Sequence, residues 1–294
     1  MGETYNNVKE TNINKIIENY TDKVIETFSG KDLKIATKIV DNTIAFIGAA
    51  GGTGTSTLVA NVAYTLTKKG LRVLVVDMNV MYPIQHSLLD IKQEIEKKDL
   101  VSFVLGNNQF GESLENRGNL AVLCANNRYL MDHINCDTEA ASRNLVEAVK
   151  RVKHLFDMII FDCPKQIEFD LVNSILYNCD LIYTVWDENI ECISNIDRMR
   201  KNMLVCGIES YAKIKAIMNK KTNIYYTNKV FEELEIELVE TLPFDTAIIE
   251  SGLRGEVFCE KGASMAKTAT EYVRKIESLS DKILKIGGYG QNGQ

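Results

Sequence analysis

The sequence is poor in residues that divide a chain into separate modules. It has three prolines in 294 residues, and no glycine- or serine-rich linker separates its apolar segments, so one main domain is favoured. No apolar run reaches the roughly 18 residues that a membrane span needs. The formal net charge of −6 argues against a protein that mainly coats nucleic acid. We therefore expect a globular protein of the cytoplasm.

Cysteine and histidine are placed in ways that exclude several kinds of site. The seven cysteines are scattered, with no CxxC pair and no metal-ligand spacing, and some lie inside apolar runs such as AVLCA. We interpret them as reduced thiols in the core of a cytoplasmic protein. The three histidines are far apart and make no metal set, and no Ser/His/Asp or Cys/His hydrolase arrangement can be recognised.

Apolar segments of strand length alternate with helical patterns from residue 43 onward. This alternation predicts an α/β fold of three layers, in which helices cover both faces of a mostly parallel central sheet. The strand candidates are TIAFIGA, RVLVVDM, LAVLCA, MIIFD, LIYTVW, KIKAIMN and LVETLPF. The helix candidates include STLVANVAYTLTKKG, TEAASRNLVEAVKRVKHLF and, near the end, ASMAKTATEYVRKIESLSDKILKI.

Two flanking segments differ from the main domain in composition. Residues 1–40 are polar and carry one amphipathic stretch, NINKIIENYTDKVIETF, whose apolar residues recur at steps of three and four. The last eight residues read GGYGQNGQ. We predict a helical extension at 1–40 that packs on the main domain or on a partner, an α/β domain at 41–286, and a flexible tail at 287–294.

A glycine-rich turn follows the first strand, where residues 48–57 read GAAGGTGTST. Such a turn lets backbone amides close on phosphate oxygens, and the start of the next helix adds partial positive charge. Ser56 stands where the serine or threonine of a phosphate loop binds Mg²⁺. The position of the usual loop lysine is occupied by Thr55. The turn therefore predicts a phosphate site whose positive charge comes from the backbone.

Two aspartates end apolar strands that follow this turn in the sequence. Asp77 ends LRVLVVD and Asp162 ends MIIFD, where the Mg²⁺-linked carboxylates of a P-loop protein are expected. Each could instead be a cap residue at the end of its strand. All three features fall at the carboxyl edge of a sheet, where α/β proteins bind ligands, and we expect Ser56, Asp77 and Asp162 to hold Mg²⁺.

Together these motifs resemble the ParA/MinD family of deviant-Walker P-loop ATPases over residues 43–286. The family's DCP motif is intact at residues 162–164, and its loop KGGxGK[ST][ST] falls on residues 50–57. The resemblance implies ATP or ADP with Mg²⁺ as the cofactor. It implies that the nucleotide is bound by the loop and by residues near the base, namely Gly51, Gly52, Thr53, Gly54, Thr55, Ser56, Thr57, Asn219, Pro243, Phe244 and Asp245.

Three positions depart from the family pattern. The signature lysine that reaches across the family's dimer falls on Ala50, and the Walker lysine falls on Thr55. The switch I motif DxD falls on Asp77-Met78-Asn79, so an amide replaces the second carboxylate at this catalytic position. Because phosphoryl transfer depends on positioned charge, these changes imply very slow hydrolysis or none, with binding retained.

Lysine and arginine elsewhere could replace the missing loop cations. Lys165, directly after the DCP motif, and Arg254 are the candidates, although Lys165 also suits a solvated loop.

Within the family, the loop most resembles that of the TadZ/CpaE branch, which positions pilus machinery at a cell pole. This implies a homodimer that serves a pilus or secretion apparatus. A partition ATPase that binds DNA through the stretch KIKAIMNKKTNIYYTNK is a second hypothesis, and this stretch also suits a solvated strand end. A third is a regulator recruited to a pole or membrane surface by the terminal amphipathic helix, whose pattern is also typical of core packing.

Overall fold

The computed structural model describes residues 42–91, 99–126, 136–205, 207, 213–222, 231–232, 235–260 and 267–287. The predicted helix within residues 1–40 lies outside this described part, as do residues 288–294 of the proposed tail. The boundaries of the main domain at residues 41 and 286 therefore stay predictions.

A single sheet of eight strands forms the centre of the described fold. In chain order these strands are β1 Thr43–Gly48, β2 Val73–Asp77, β3 Glu115–Arg117, β4 Leu120–Leu123, β5 Met158–Cys163, β6 Leu181–Trp186, β7 Ile214–Lys221 and β8 Glu237–Pro243. Their order across the sheet is β3-β4-β2-β5-β1-β6-β7-β8, and all neighbours are parallel except β3 and β4. The predicted mostly parallel sheet is confirmed.

The four central strands β1, β2, β5 and β6 are buried along their whole length. Burial on both faces explains their continuous apolar sequences and requires helices above and below the sheet. The described helices are α1 Thr55–Lys68, α2 Gln85–Leu88, α3 Leu100–Val104, α4 Glu139–Val152, α5 Asp170–Asn178, α6 Ile190–Ser194, α7 Ile196–Val205, α8 Thr246–Leu253 and α9 Lys267–Ile286. Short 3₁₀ turns lie at Phe110–Ser113, Lys153–Leu155 and Phe258–Glu260.

Each of the seven strand candidates forms a strand, but β3 was not predicted. It has three polar residues, ENR, pairs antiparallel with β4 at the edge of the sheet, and is only partly buried. The strand is short and polar, so its sequence has no alternation of apolar and polar residues from which a strand could be predicted.

The terminal helix α9 packs on the core through its apolar stripe. Its inward-facing residues belong to the main core cluster and are Ala269, Tyr272, Ile276, Leu279, Ile283 and Leu284. On the same helix, Lys275 and Lys282 bind the carboxylate of Glu240 on β8, with N–O distances of 2.7 and 2.8 Å. Core packing thus accounts for the amphipathic pattern of this helix. In the described part of the chain, no helix has the length and apolar character needed to cross a membrane.

The described cysteines are free thiols, and all except half-buried Cys259 are buried in the core. This confirms their predicted place in the protein, with Cys206 outside the described residues.

Parallel pairing brings the carboxyl ends of the central strands to one edge of the sheet. β1 runs into the glycine-rich turn, and Asp77 on β2 is in register with Asp162 on β5. Asn219 lies near the end of β7, and Pro243 ends β8. Residues from different parts of the sequence, between Gly48 and Pro243, therefore meet around one cleft, as the fold type requires.

Candidate functional site

The glycine-rich turn connects β1 to α1 and has the backbone of a phosphate loop. Gly52 and Gly54 have φ angles of 78° and 80°, in the left-handed region that favours glycine. Gly54 is the N-cap of α1, and no side chain caps this helix. The first amides of an α-helix have no partner within the helix, so the start of α1 can bind an anion through its backbone.

The position of the Walker lysine carries no charge and points into the protein. The hydroxyl groups of Thr55 and Thr53 lie 3.0 Å apart and are buried. A β-carbon at Gly48 would stand 3.0 Å from the Thr55 hydroxyl and 2.7 Å from that of Thr53, so the end of β1 must be glycine for these two threonines to fit. Thr55 therefore holds the loop together from beneath.

The position of the signature lysine is also occupied by a buried side chain. Ala50 is 3% exposed and packs in a small apolar cluster under the loop, with Trp186 of β6 and Met218 of β7 among its members. A methyl group suits this place, whereas an ammonium group there would lose its hydration without a partner. The loop therefore has the shape expected for phosphate and none of the family's lysine charge.

Asp77 supports the turn that follows β2. Its carboxylate accepts hydrogen bonds from three backbone amides, those of Asn79 at 3.0 Å, Ile84 at 2.7 Å and Gln85 at 3.0 Å. Burial raises the pKa of Asp77, although these three hydrogen bonds act in the opposite direction. Asp77 is fully buried and does not line the cavity above the loop. Its predicted part in Mg²⁺ binding stays a prediction.

The carboxylate of Asp162 accepts hydrogen bonds from two side chains, those of Ser56 and Gln85. The Ser56 hydroxyl donates to Asp162, and Nε2 of Gln85 donates to it at 2.7 Å and to the carbonyl of Ser56 at 2.9 Å. Burial raises the pKa of Asp162, and the negative charge of Asp77 raises it further. No sequence pattern singles out Gln85, which lies in the short helix α2 and not at the end of a strand.

Asn79 lies at the mouth of the same cleft. Its side-chain oxygen accepts the amide of Tyr82 at 3.3 Å, and the residue lines the cavity of about 390 Å³ above the loop. The cavity also has Pro164 and Lys165 along its wall. An amide at this position could orient a water molecule, but it cannot accept a proton as a carboxylate does.

A second cavity of about 310 Å³ adjoins the loop on the side of β7 and β8. Gly54, Ser56 and Thr57 line both cavities, so the two form one cleft around the start of α1. The second cavity is mainly apolar, and the predicted base-binding residues line it together with side chains of α8, namely Asn219, Pro243, Phe244, Asp245, Ile248, Ile249 and Leu253.

Two of these predicted base-binding residues also have structural contacts. Nδ2 of Asn219 donates to the carbonyl of Thr53 at 2.8 Å, which ties β7 to the loop. The carboxylate of Asp245 accepts the amide of Ala247 at 2.9 Å and caps α8. Both residues keep other atoms at the cavity, and their contact with a base stays a prediction.

Comparison with known proteins places this site in a family. The family model described as "AAA domain" matches residues 41–203, more than half of the chain and the part that contains the loop and both aspartates. The chain belongs to this family of ParA/MinD-type P-loop ATPases. The septum site-determining protein MinD of Bacillus subtilis is 25% identical over 225 residues, which cover 72% of this chain and 80% of the relative.

Solved structures of ParA/MinD proteins share the fold. MinD of Pyrococcus horikoshii in complex with Mg-ADP superposes with a TM-score of 0.70, at 20% identity, over 84% of this chain and 97% of that one. A plasmid partition protein of Borrelia burgdorferi bound to AMPPNP superposes with a TM-score of 0.66, at 17% identity, over 83% of this chain and 99% of that one.

Lys165 and Arg254, the two residues that could replace the missing loop lysines, each form an ion pair. Nζ of Lys165 would stand 3.5 Å from a β-carbon at Gly51, beside the loop, and it pairs with Glu191 at 3.0 Å. Arg254 pairs with Glu256 at 2.9 Å after the end of α8. Lys165 is therefore close enough to the loop to act on a phosphate, but a carboxylate already accompanies it.

The residues of this cleft fit a nucleotide with Mg²⁺. The start of α1 provides backbone amides that no described side chain caps, and Ser56 and Asp162 provide the hydroxyl and carboxylate oxygens that Mg²⁺ prefers. Oε1 of Gln85 is buried beside them and has no donor among the described residues, which a water molecule carried by the ion could supply. No group of three or more His, Cys, Asp or Glu side chains suited to a metal occurs in the described part of the chain.

Proposed function

We propose that this protein binds ATP or ADP with Mg²⁺, hydrolyses ATP very slowly or not at all, and acts as a positioning scaffold. One observation carries the proposal: the phosphate loop keeps its backbone geometry, while Ala50 and Thr55 are uncharged and buried at the two lysine positions. Binding can rest on backbone amides, whereas phosphoryl transfer needs positive charge where negative charge develops.

The loss of two cations supports slow hydrolysis on quantitative grounds. Removing one positioned donor at a developing negative charge typically lowers the rate by about 10²–10³, which is about 3–4 kcal/mol. Two such losses would lower the rate by at least about 10³-fold, even if their effects overlap considerably.

The remaining residues would divide the work of binding between them. Mg²⁺, when bound with the nucleotide, would neutralise phosphate charge. The Ser56 hydroxyl and the Asp162 carboxylate would hold it, and Asp77 would keep the turn after β2 in place. The apolar cavity beside Pro243 and Phe244 would receive the base. Asn79 would orient water without removing its proton.

A scaffold of this kind would act through the partners that it gathers. The resemblance of the loop to the TadZ/CpaE branch supports a homodimer that recruits pilus or secretion proteins. Since Ala50 cannot reach across a dimer, other contacts would have to hold the two subunits together. The proposed place of action is the cytoplasm, with recruitment to a pole or membrane surface by a partner.

Three of the four described lysines in the lysine-rich stretch have contacts away from the phosphate loop, and Lys220, which contacts the loop, is the exception. Lys213 donates to the carbonyls of Leu176 and Tyr177, Lys215 pairs with Glu237, and Lys221 pairs with Glu188. These three contacts weaken the hypothesis that the stretch binds DNA, and Tyr225, Tyr226 and Lys229 lie outside the described residues. The hypothesis of membrane-surface binding rested on the amphipathic pattern of α9. Its apolar stripe packs on the core, so this pattern no longer supports the hypothesis.

Single-turnover hydrolysis of ATP by excess protein tests the proposal. Unassisted P-loop enzymes with their cations in place hydrolyse at only about 10⁻⁴–10⁻² per second. We therefore expect bound ATP with a hydrolysis rate below about 10⁻⁴ per second and no increase when random duplex DNA is added. A higher rate, or stimulation by DNA, would show an active switch and overturn the scaffold proposal.

A further inference from the structure

Lys220, the residue after Asn219 near the end of β7, lies over the phosphate loop. Its Nζ donates to the carbonyl of Gly52. Its Cε would stand 3.2 Å, and its Nζ 3.9 Å, from a β-carbon at Gly54, so the side chain lies directly beside the loop backbone. Lys220 also lines the base-side cavity next to Gly54 and Ser56. A lysine from a different strand thus reaches the loop whose own lysines are missing.

The backbone of β7 is bent to aim this side chain at the loop. Lys220 has a φ of 52°, an uncommon conformation for a residue with a side chain. The pairing of β7 with β8 is irregular between Met218 and Lys221. Consecutive residues of a regular strand point to opposite faces, and here Lys220 points to the loop while Lys221 pairs with Glu188 at 2.6 Å. The two adjacent lysines therefore have different surroundings, and Lys220 is the one that reaches the loop.

Lys220 differs from the other cations near the loop because it forms no ion pair with any residue that the structure describes. Lys165 is paired with Glu191 and Arg254 with Glu256. Among the residues that the structure describes, no carboxylate lies within ion-pair distance of Lys220. A carbonyl oxygen only partly satisfies an ammonium group, whereas a phosphate close to it would interact much more strongly.

We propose that Lys220 supplies, from β7, the positive charge at the nucleotide phosphates that the loop itself lacks. This inference rests on the proposed nucleotide binding. Lys220 approaches across Gly52 and Gly54 from the base side of the cleft, so its charge acts on the phosphates nearest the nucleoside. It contributes to the affinity for ADP and ATP alike and leaves the terminal phosphate without a lysine, in keeping with slow hydrolysis.

Isothermal calorimetry on two charge-removing variants of the full chain tests this assignment. Lys220→Gln removes the proposed charge, and Lys221→Gln removes the charge of the next residue, which pairs with Glu188. We expect Lys220→Gln to weaken Mg-ADP and Mg-ATP binding by the same factor, roughly tenfold, which is the order expected for one charge a few ångströms away at a partly solvated site. Lys220→Arg should restore most of the affinity, and Lys221→Gln should bind as the wild type does.

Adenosine distinguishes a phosphate contact from a structural clamp. If Lys220 acts on phosphate, Lys220→Gln should leave adenosine binding unchanged and should reduce the salt dependence of ADP binding. Equal losses for adenosine and ADP would show that Lys220 only shapes the base cavity and would overturn the inference. Wild-type affinity for ADP in Lys220→Gln, or a loss of similar size in Lys221→Gln, would overturn it as well. If the wild-type chain binds no nucleotide, the proposed function fails, and this inference fails with it.

Discussion

Thr55 and Ala50, the residues at the two lysine positions, both face inward and contribute to packing. Thr55 is hydrogen-bonded to Thr53 beneath the loop, and Ala50 fills part of an apolar cluster. Each replaces a long charged side chain by a short one that suits a buried place. At the scale of single residues, the loop has therefore been adapted to keep its shape without charge, which is the physical basis for separating binding from hydrolysis.

Restoring the lysine at position 55 tests whether nucleotide binding and hydrolysis are separate in this protein. The variant Thr55→Lys should bind ATP at least about tenfold more tightly and hydrolyse it roughly 10²-fold faster, because a positioned cation stabilises the transferring phosphate. The lysine side chain is long and flexible, so its ammonium group can reach the cleft while its methylene groups occupy the buried position. Single-turnover hydrolysis and calorimetry measure both effects.

A matched control adds the same charge at the opposite edge of the sheet. Asn178→Lys, at the end of α5 and before β6, should change neither ATP affinity nor rate. If Thr55→Lys folded but behaved like this control, the missing lysine would not be the reason for slow hydrolysis.

The residue types of the site could be predicted from the sequence, but their contacts could not. The glycines of the loop and the two strand-end aspartates follow a pattern that depends on local backbone and sheet position. Lys220 and Gln85 were missed because their roles depend on a positive φ and on a distant partner. In the sequence, Lys220 is one of several lysines in a polar stretch, and nothing local separates it from Lys221.

At the scale of elements, helix α9 is attached to β8 by charge as well as by its apolar face. Burial alone would raise the pKa of Glu240, but hydrogen bonds from Lys275, Lys282 and Ser278 outweigh it and lower the pKa to about 2. The carboxylate is 5% exposed, while the two lysines are 29% and 41% exposed. Solvent therefore reduces the value of these pairs below that of fully buried ones.

Glu240→Gln should lower the free energy of unfolding at pH 7 by about 1–3 kcal/mol. The native pKa lies below the ordinary value, so the stabilisation is present above about pH 4.5 and is lost as the pH falls towards 2. Chemical denaturation at several pH values should show the variant and the wild type converging in this acidic range.

The ion pair between Glu237, also on β8, and Lys215 provides the control for the Glu240 variant. Glu237→Gln removes a carboxylate that is 62% exposed and paired with Lys215, and should cost less than about 1 kcal/mol at any pH. Equal losses for Glu237→Gln and Glu240→Gln at pH 7 would show that the Glu240 cluster does not attach α9 to the sheet.

Much of the element order followed from the sequence because burial on both faces of a parallel sheet leaves long apolar runs. The helices α1, α4 and α9 also show clear patterns of period 3.6. The sequence pattern of α9 could not decide between a core and a membrane surface, because both require one apolar stripe. Only the position of that stripe against β8 and α1 in the folded chain distinguishes them.

At the scale of the whole molecule, the account requires a dimer that does not use a crossing lysine. The predicted helix within residues 1–40 is a candidate for the missing contact. With Mg-ATP present, we expect the full chain to have the mass of a dimer in sedimentation or light scattering, and a chain that lacks residues 1–40 to have the mass of a monomer. A shortened chain that still dimerises would place the contact in the α/β domain.

The central claim is that backbone amides at the start of α1, with Ser56 and Asp162 holding Mg²⁺, bind a nucleotide without a loop lysine. Calorimetry of Mg-ATP binding to the wild-type chain and to Ser56→Ala tests it most directly, with Ser174→Ala on α5 as a control. The account predicts a dissociation constant below about 1 mM for the wild type and the control, and clearly weaker, less Mg²⁺-dependent binding for Ser56→Ala. No binding by the wild type, or equal affinity in all three proteins, would contradict it.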